Sequence, residues 1–155
     1  MRTANKTRAY ILGLSVMLSC IVARAQQAVI IGRDIDVLVV ANKGVAVSAI
    51  SPAELRDIFT GIRSRFDDGT RAIPVLLKGG AAHEVFLHKH VGEEPDEFRS
   101  RWRKAVFTGQ GSMPKEFNSE GALLEYVAQT PGAIGYVSRV NESGSPHVKV
   151  LNVSP

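Results

Sequence analysis

The sequence predicts an α/β domain in which a small, mostly parallel sheet is covered by helices on both faces. Two observations carry this prediction. Short apolar, β-branched runs alternate along the chain with segments of helical periodicity. Glycine, proline, asparagine and aspartate separate these runs. Regular alternation of strand and helix is typical of sheets whose parallel strands are joined by helices.

The first half of the chain supplies one strand and one helix with clear ends. Ile35 to Ala41 is apolar and β-branched, which predicts a buried strand. Ser51-Pro52-Ala53-Glu54 predicts a helix start, with Ser51 as N-cap, proline in the first position and Glu54 as the capping-box partner. Gly61 is expected to end this helix.

The second half continues the alternation. The predicted elements are a buried strand from Ala72 to Leu77, helices from about Ala81 to Val91, from near Pro95 and from Leu123 to Ala128, a strand from Ala133 to Ser138, and an edge strand from His147 to Val153. Within the helix that starts near Pro95, the spacing places Phe98, Trp102 and Phe107 on the inward face.

The first 25 residues have the layout of a secretory signal. Basic residues come first, an apolar run from Tyr10 to Val22 follows, and Ala23-Arg24-Ala25 supplies small residues at a cleavage site. The run is shorter than the roughly 20 residues needed to span a bilayer. We therefore expect a signal peptide over 1–25, a domain over 26–155, and a periplasmic or otherwise secreted protein without stable membrane insertion. Lipidation at Cys20 is the alternative.

Removal of the first 25 residues changes the net charge and the cysteine content of the protein. The precursor has a net charge of +4, and the segment holds four of its basic residues and no acidic one. The remainder has fifteen basic and fifteen acidic residues, so its charge gives no reason to expect nucleic acid as a partner. It also lacks cysteine, which excludes disulfides and thiolate metal sites.

Three motifs in order resemble the periplasmic phosphate-binding proteins of ABC transporters, in particular short, single-domain members of the type II periplasmic-binding-protein group. The motifs are Leu55 to Gly61 followed by Phe66-Asp67-Asp68-Gly69, Trp102 with Phe107 to Gly111 and Pro114, and Thr130 to Val137. The resemblance spans Asp36 to Val153. It implies a single lobe of that fold and non-catalytic capture of a small oxyanion such as phosphate, with no cofactor.

The resemblance and the chemistry of anions point to the segment after the second strand. Lys78 stands where the family has an arginine, and Gly79, Gly80, Ala81 and Ala82 open a helix whose N–H groups could hold an oxyanion. The family's Ser-Gly-Thr run is replaced here, so its hydroxyl donors are missing, and Glu84 adds a negative charge. A turn and helix cap without a ligand is the alternative interpretation.

The glycine-rich loop over 108–112 is a second candidate. Thr108, Gly109 and Ser112 offer two hydroxyls and a glycine N–H that could assist the same anion. A tight connection between helices is the favoured interpretation of this loop, because glycine-rich loops usually serve turn geometry.

Metal binding and catalysis have less support in the sequence. Glu84 and His88 have i, i+4 spacing, but two ligands without a third do not make a metal site. Exposed positions on a helix explain His83, His88 and His90 more simply. The sequence contains no G-x-S-x-G nucleophile motif.

The leading hypothesis is therefore a solute-binding-protein-like domain, with an oxyanion and an ABC transporter permease as partners. The alternative is an accessory module that keeps the fold and binds an envelope protein instead of phosphate.

Overall fold

The computed structural model describes residues 35–139 and 147–154. The expected signal peptide, the cleavage site and Cys20 lie outside this part of the chain. The elements are β1 (Val37–Asn42), β2 (Ala49–Ile50), α1 (Pro52–Phe59), β3 (Ile73–Leu77), α2 (Ala81–Phe86), a π-helical segment (Leu87–Val91) that continues α2, α3 (Pro95–Phe107), β4 (Lys115–Phe117), α4 (Glu120–Gln129), β5 (Ala133–Ser138) and β6 (Val148–Val153). No helix among the described residues has the length and apolar character needed to cross a bilayer.

The strands form one six-stranded sheet in the order β2-β6-β1-β5-β3-β4. Three of the five pairings are parallel, namely β2 with β6, β3 with β5 and β3 with β4. Only β1 runs antiparallel to its neighbours, β5 and β6. The predicted α/β fold class with a mostly parallel sheet is confirmed.

The position of the last strand differs from the prediction. We expected His147 to Val153 at a sheet edge, but β6 lies between β1 and β2. The edge is formed by Ala49 and Ile50, which pair with Asn152 and Val153. A two-residue strand has too few positions to show a periodic pattern, so the sequence did not reveal it.

Helices cover both faces of the sheet, as predicted. Gly135 and Tyr136 are consecutive on β5 and therefore face opposite sides. A Cβ at Gly135 would lie 2.8 Å from Leu123 Cδ2, so α4 packs closely on that face. On the other face, the Tyr136 ring stacks on Phe86 with centroids 3.8 Å apart, and Phe59 meets Phe86 edge to face at 4.7 Å.

The predicted start of α1 is confirmed with one difference. Ser51 Oγ accepts the Glu54 N–H at 3.1 Å, and Pro52 occupies the first turn. The Glu54 carboxylate accepts the Asp67 N–H at 3.0 Å, so it stabilises the 66–69 turn instead of completing a capping box. Gly61 follows the helix with a φ of +77°.

Two of the three aromatic residues predicted on the inward face of α3 are buried. Phe98 and Trp102 are buried, with exposed fractions of 3% and 4%. The prediction for Phe107 is wrong because its side chain is 92% exposed. At 100° per residue, Phe107 lies roughly 180° around α3 from Phe98 and faces solvent, whereas Ala105 in the same turn packs against the core.

Candidate functional site

Lys78–Ala82 follows β3 directly and lies at the carboxyl edge of three neighbouring parallel strands. Both β4 and β5 run parallel to β3, so all three end on the same side of the sheet. The Lys78 N–H donates to the Phe117 carbonyl at 2.9 Å, which fixes the segment to the end of β4. Ligands of open α/β sheets bind outside the carboxyl ends of the strands.

The backbone of this segment presents a row of unused donors. Within the described part of the chain, the N–H groups of Gly79, Gly80, Ala81 and Ala82 have no hydrogen-bond acceptor. The next two N–H groups, of His83 and Glu84, both donate to the Gly80 carbonyl. The segment therefore offers four consecutive donors at the start of a continuous helix over 81–91.

Three of the four donors lie in exposed residues, whereas Ala82 is buried, with an exposed fraction of 8%. Lys78, Gly79, Gly80 and Ala81 are exposed, and a Cβ built at either glycine would meet no atom within 4 Å. Gly80 has a φ of +93°, a conformation that favours glycine. The Glu84 carboxylate makes no hydrogen bond or ion pair within residues 35–139 and 147–154, so it does not occupy the four amides.

A buried polar pair lies beneath the segment. The Leu77 N–H donates to Tyr136 Oη at 3.1 Å, and Tyr136 Oη lies 2.6 Å from His83 Nδ1. Oη accepts from Leu77 and keeps its own proton to donate, which His83 Nδ1 accepts in the tautomer that carries its proton on Nε2. The contact thus ties the first turn of α2 to the end of β3.

Electrostatics keep both members of this pair neutral. Burial lowers the pKa of His83, and the nearby charge of Arg99 lowers it further, against a smaller opposing effect of Glu84. Burial also raises the pKa of Tyr136. A neutral imidazole that accepts at Nδ1 carries its proton on Nε2. The interpretation of His83 as an exposed helical residue was wrong, since it is 6% exposed.

The glycine-rich loop lies at the other end of β3. Ser112 lines a cavity together with Ile73 and Pro74, which begin the strand, whereas Lys78 follows its last residue. At about 3.3 Å per residue, the four residues from Pro74 to Lys78 cover roughly 13 Å. Ser112 is therefore not brought together with Lys78–Ala82.

The other two loop residues have local roles. The Thr108 hydroxyl donates to the Lys104 carbonyl at 2.9 Å and closes the end of α3. Gly109 follows with a φ of +70°, the left-handed conformation typical of a residue just after a helix. Tight chain reversal accounts for this part of the loop.

The histidines do not assemble with acidic residues. Among the described residues, no group of three or more His, Cys, Asp or Glu side chains is placed to hold a metal ion. His88 is exposed, and His90 Nε2 is buried without a hydrogen-bond partner.

Comparison with known proteins finds similarity in structure only. No protein-family model matches the sequence, and no curated protein matches it. The structure of a phosphate ABC transporter substrate-binding protein with bound phosphate from Clostridium perfringens matches with a TM-score of 0.56 at 18% identity, over 76% of this chain and 44% of that one. PstS from Borrelia burgdorferi matches with a TM-score of 0.56 at 14% identity, over 76% and 47%.

These matches confirm the resemblance at the level of the fold. The chain spans less than half the length of the structures that it matches. It therefore has the α/β fold of phosphate ABC transporter substrate-binding proteins, over less than half of their length.

Proposed function

We propose that this protein is an exported, non-catalytic solute-binding-protein-like domain that binds a small oxyanion such as phosphate at Lys78–Ala82. The observation that supports this most is the row of four N–H groups, from Gly79 to Ala82, without an acceptor in the described chain. Backbone donors at a helix start, together with a cation, form an anion site without needing hydroxyls.

The charge of Lys78 also supports an anion site at Lys78–Ala82. Lys78 makes no ion pair within the described residues, so its ammonium group is available to an anion. Glu84, in the first turn of α2, opposes binding by repulsion. Because the segment is exposed, we expect weak, salt-sensitive binding in the millimolar range, which corresponds to about −4 kcal/mol.

The experiment is calorimetric and NMR titration of the full chain with sodium phosphate and sodium sulfate at low ionic strength. We expect the amide resonances of Gly79 to Ala82 to shift together on addition of either anion. Chloride at equal ionic strength is the control for screening. Absence of shifts in this segment at 20-fold excess over about 1 mM would contradict the proposal.

Two substitutions test the donors separately. Ala81→Pro removes one N–H at the first helical position, where proline is tolerated and where Pro52 and Pro95 already stand in α1 and α3. Lys78→Gln removes the cation. Each should weaken phosphate binding about threefold to tenfold, which is the effect of roughly one charge-assisted hydrogen bond in an exposed site. Lys43→Gln, an exposed lysine beyond the end of antiparallel β1, is the matched control.

The second candidate is an accessory module that binds an envelope protein. Its specific support is the cavity that contains Ser112, where Met113 lines the opening and Ile62 lies between two lining residues, both with exposed apolar side chains. An ABC transporter permease would be the partner under the first candidate.

A further inference from the structure

A cavity of about 340 Å³ opens at the start of β3, between the end of α1 and the loop that follows α3. Its inner wall includes Ile58 and the indole of Trp102, both buried. The indole is held in place, since Trp102 Nε1 donates to the Phe59 carbonyl at 3.1 Å. Gly61 and Gly111 lie against the ring, where an added Cβ would come within 2.8 and 3.4 Å of its carbons. The cavity thus has a fixed aromatic wall.

Large apolar side chains surround this cavity. Met113 lines it and is 38% exposed, and Ile62, 71% exposed, lies between the lining residues Gly61 and Arg63. Val106 follows Trp102 by about one helical turn and is 48% exposed, whereas Phe107, 92% exposed, lies roughly 140° around α3 from Trp102. In the described chain, the other large exposed apolar residue is Val150 on β6. Single exposed apolar residues are ordinary, but a group around a concavity marks an interaction surface.

The charges at this surface are positive. No aspartate or glutamate lines the cavity, whereas Arg63 and Arg71 do. Arg63 is paired with Glu54 and Asp67. Arg71 and Lys115, which also lines the cavity, have no carboxylate partner within residues 35–139 and 147–154. Complementary charge favours an acidic partner.

We propose that this surface binds a protein segment in which a large apolar side chain is flanked by carboxylates. The apolar side chain enters the cavity against Trp102, and the carboxylates pair with Arg71 and Lys115. The cavity volume is at the lower end of the roughly 300 to 1,000 Å³ of small-molecule sites, which suits one anchoring side chain. This surface is separate from Lys78–Ala82, at the opposite end of β3, so either proposal can fail alone.

The test uses the ¹⁵N-labelled full chain and two synthetic hexapeptides, Glu-Asp-Leu-Phe-Asp-Glu and Lys-Lys-Leu-Phe-Lys-Lys. The chain has a single tryptophan, so one indole resonance reports on the cavity wall. We expect the acidic peptide to shift the Trp102 indole and the amides over 110–113. The basic peptide, which has the same apolar residues, should bind at least tenfold more weakly.

Variants separate charge from apolar contact. Arg71→Glu and Met113→Asp should each weaken binding of the acidic peptide at least fivefold. Val150→Asp is the matched control, since Val150 is 37% exposed and Met113 38%, and it should leave the affinity unchanged. Phosphate titration of the same variants shows whether the oxyanion site is intact.

Several outcomes would overturn the proposal. Equal affinity for the two peptides would indicate unspecific apolar adhesion. Shifts of the same resonances on raising the protein concentration alone would assign the surface to a second copy of this chain. Equal affinity for 3-phenylpropionate would assign the cavity to a small carboxylate. No shift of the Trp102 indole at millimolar acidic peptide would rule out binding there.

Discussion

Replacing Tyr136 by phenylalanine tests whether the buried pair under Lys78–Ala82 holds the local structure together. The substitution removes one hydroxyl that serves the Leu77 N–H and His83 Nδ1. Both partners are in buried residues, so each is left without a hydrogen bond. An unsatisfied buried neutral group costs about 1–3 kcal/mol, and at about 1–2 kcal/mol for each of the two groups we expect a total loss of about 2–4 kcal/mol. At about 4 °C per kcal/mol for a domain of this size, the Tm falls by roughly 8–16 °C.

Urea unfolding followed by the fluorescence of the single tryptophan, Trp102, measures this loss. Tyr126→Phe is the matched control, because the Tyr126 hydroxyl makes no hydrogen bond in the described structure. We expect it to change the free energy of unfolding by less than about 0.5 kcal/mol. In a His83→Leu background, Tyr136→Phe removes the hydrogen-bond partner of the Leu77 N–H only. Its cost in unfolding free energy should then be smaller by about 1–2 kcal/mol than in the wild-type background.

The reasoning is refuted if Tyr136→Phe costs no more than Tyr126→Phe. It is also refuted if the cost of Tyr136→Phe is the same with and without the His83 imidazole. Either result would mean that the hydroxyl is not shared between the strand and the helix.

Three further predictions concern stability. Gly132→Ala should reduce the free energy of unfolding by more than about 3 kcal/mol, because its Cβ would lie 2.2 Å from a backbone carbonyl oxygen. Gly69→Ala is at a similar positive φ but in open space, so it should cost only about 1 kcal/mol. The difference is measured from the midpoints of urea unfolding. Burial lowers the pKa of both His83 and His90, so the folded protein binds fewer protons than the unfolded chain. The Tm should therefore fall as pH decreases from about 6.5. A Tm independent of pH from 7.5 to 5 would contradict this. Phe107→Ser should change the free energy of unfolding by less than about 0.5 kcal/mol, since the ring is exposed; a loss above 1 kcal/mol would show that it packs on the core.

Local signals in the sequence predicted most element types and ends. The Ser51 cap and the strand before Lys78 were predicted because caps, turns and apolar runs act over a few residues. Glycines between a strand and a helix also indicated backbone donors after β3, and the N–H groups of Gly79 to Ala82 have no acceptor in the described residues; that they bind an anion stays a prediction. The missing hydroxyl donors could be recognised only through the resemblance to a family.

Pairing in space was not predictable in the same way. The sequence grouped Ser112 with Lys78, but the parallel register of Val75 with Lys115 puts the loop before β4 at the start of β3. His83 and Tyr136 are 53 positions apart in the sequence, and no pattern indicates their contact. The prediction for Phe107 was wrong for a different reason, because helical periodicity places it roughly opposite Phe98 on α3.

By itself, the sequence determined the α/β class and the order of the helices and of the longer strands, because these depend on side-chain periodicity and on neighbouring residues; the short strands β2 and β4 were not predicted. Only the tertiary structure decided which ends of strands lie together, which histidine is buried, and which apolar side chains remain exposed around the cavity. These properties depend on strand register and on which residues of each helix face the core. Both are set by contacts between residues far apart in the chain.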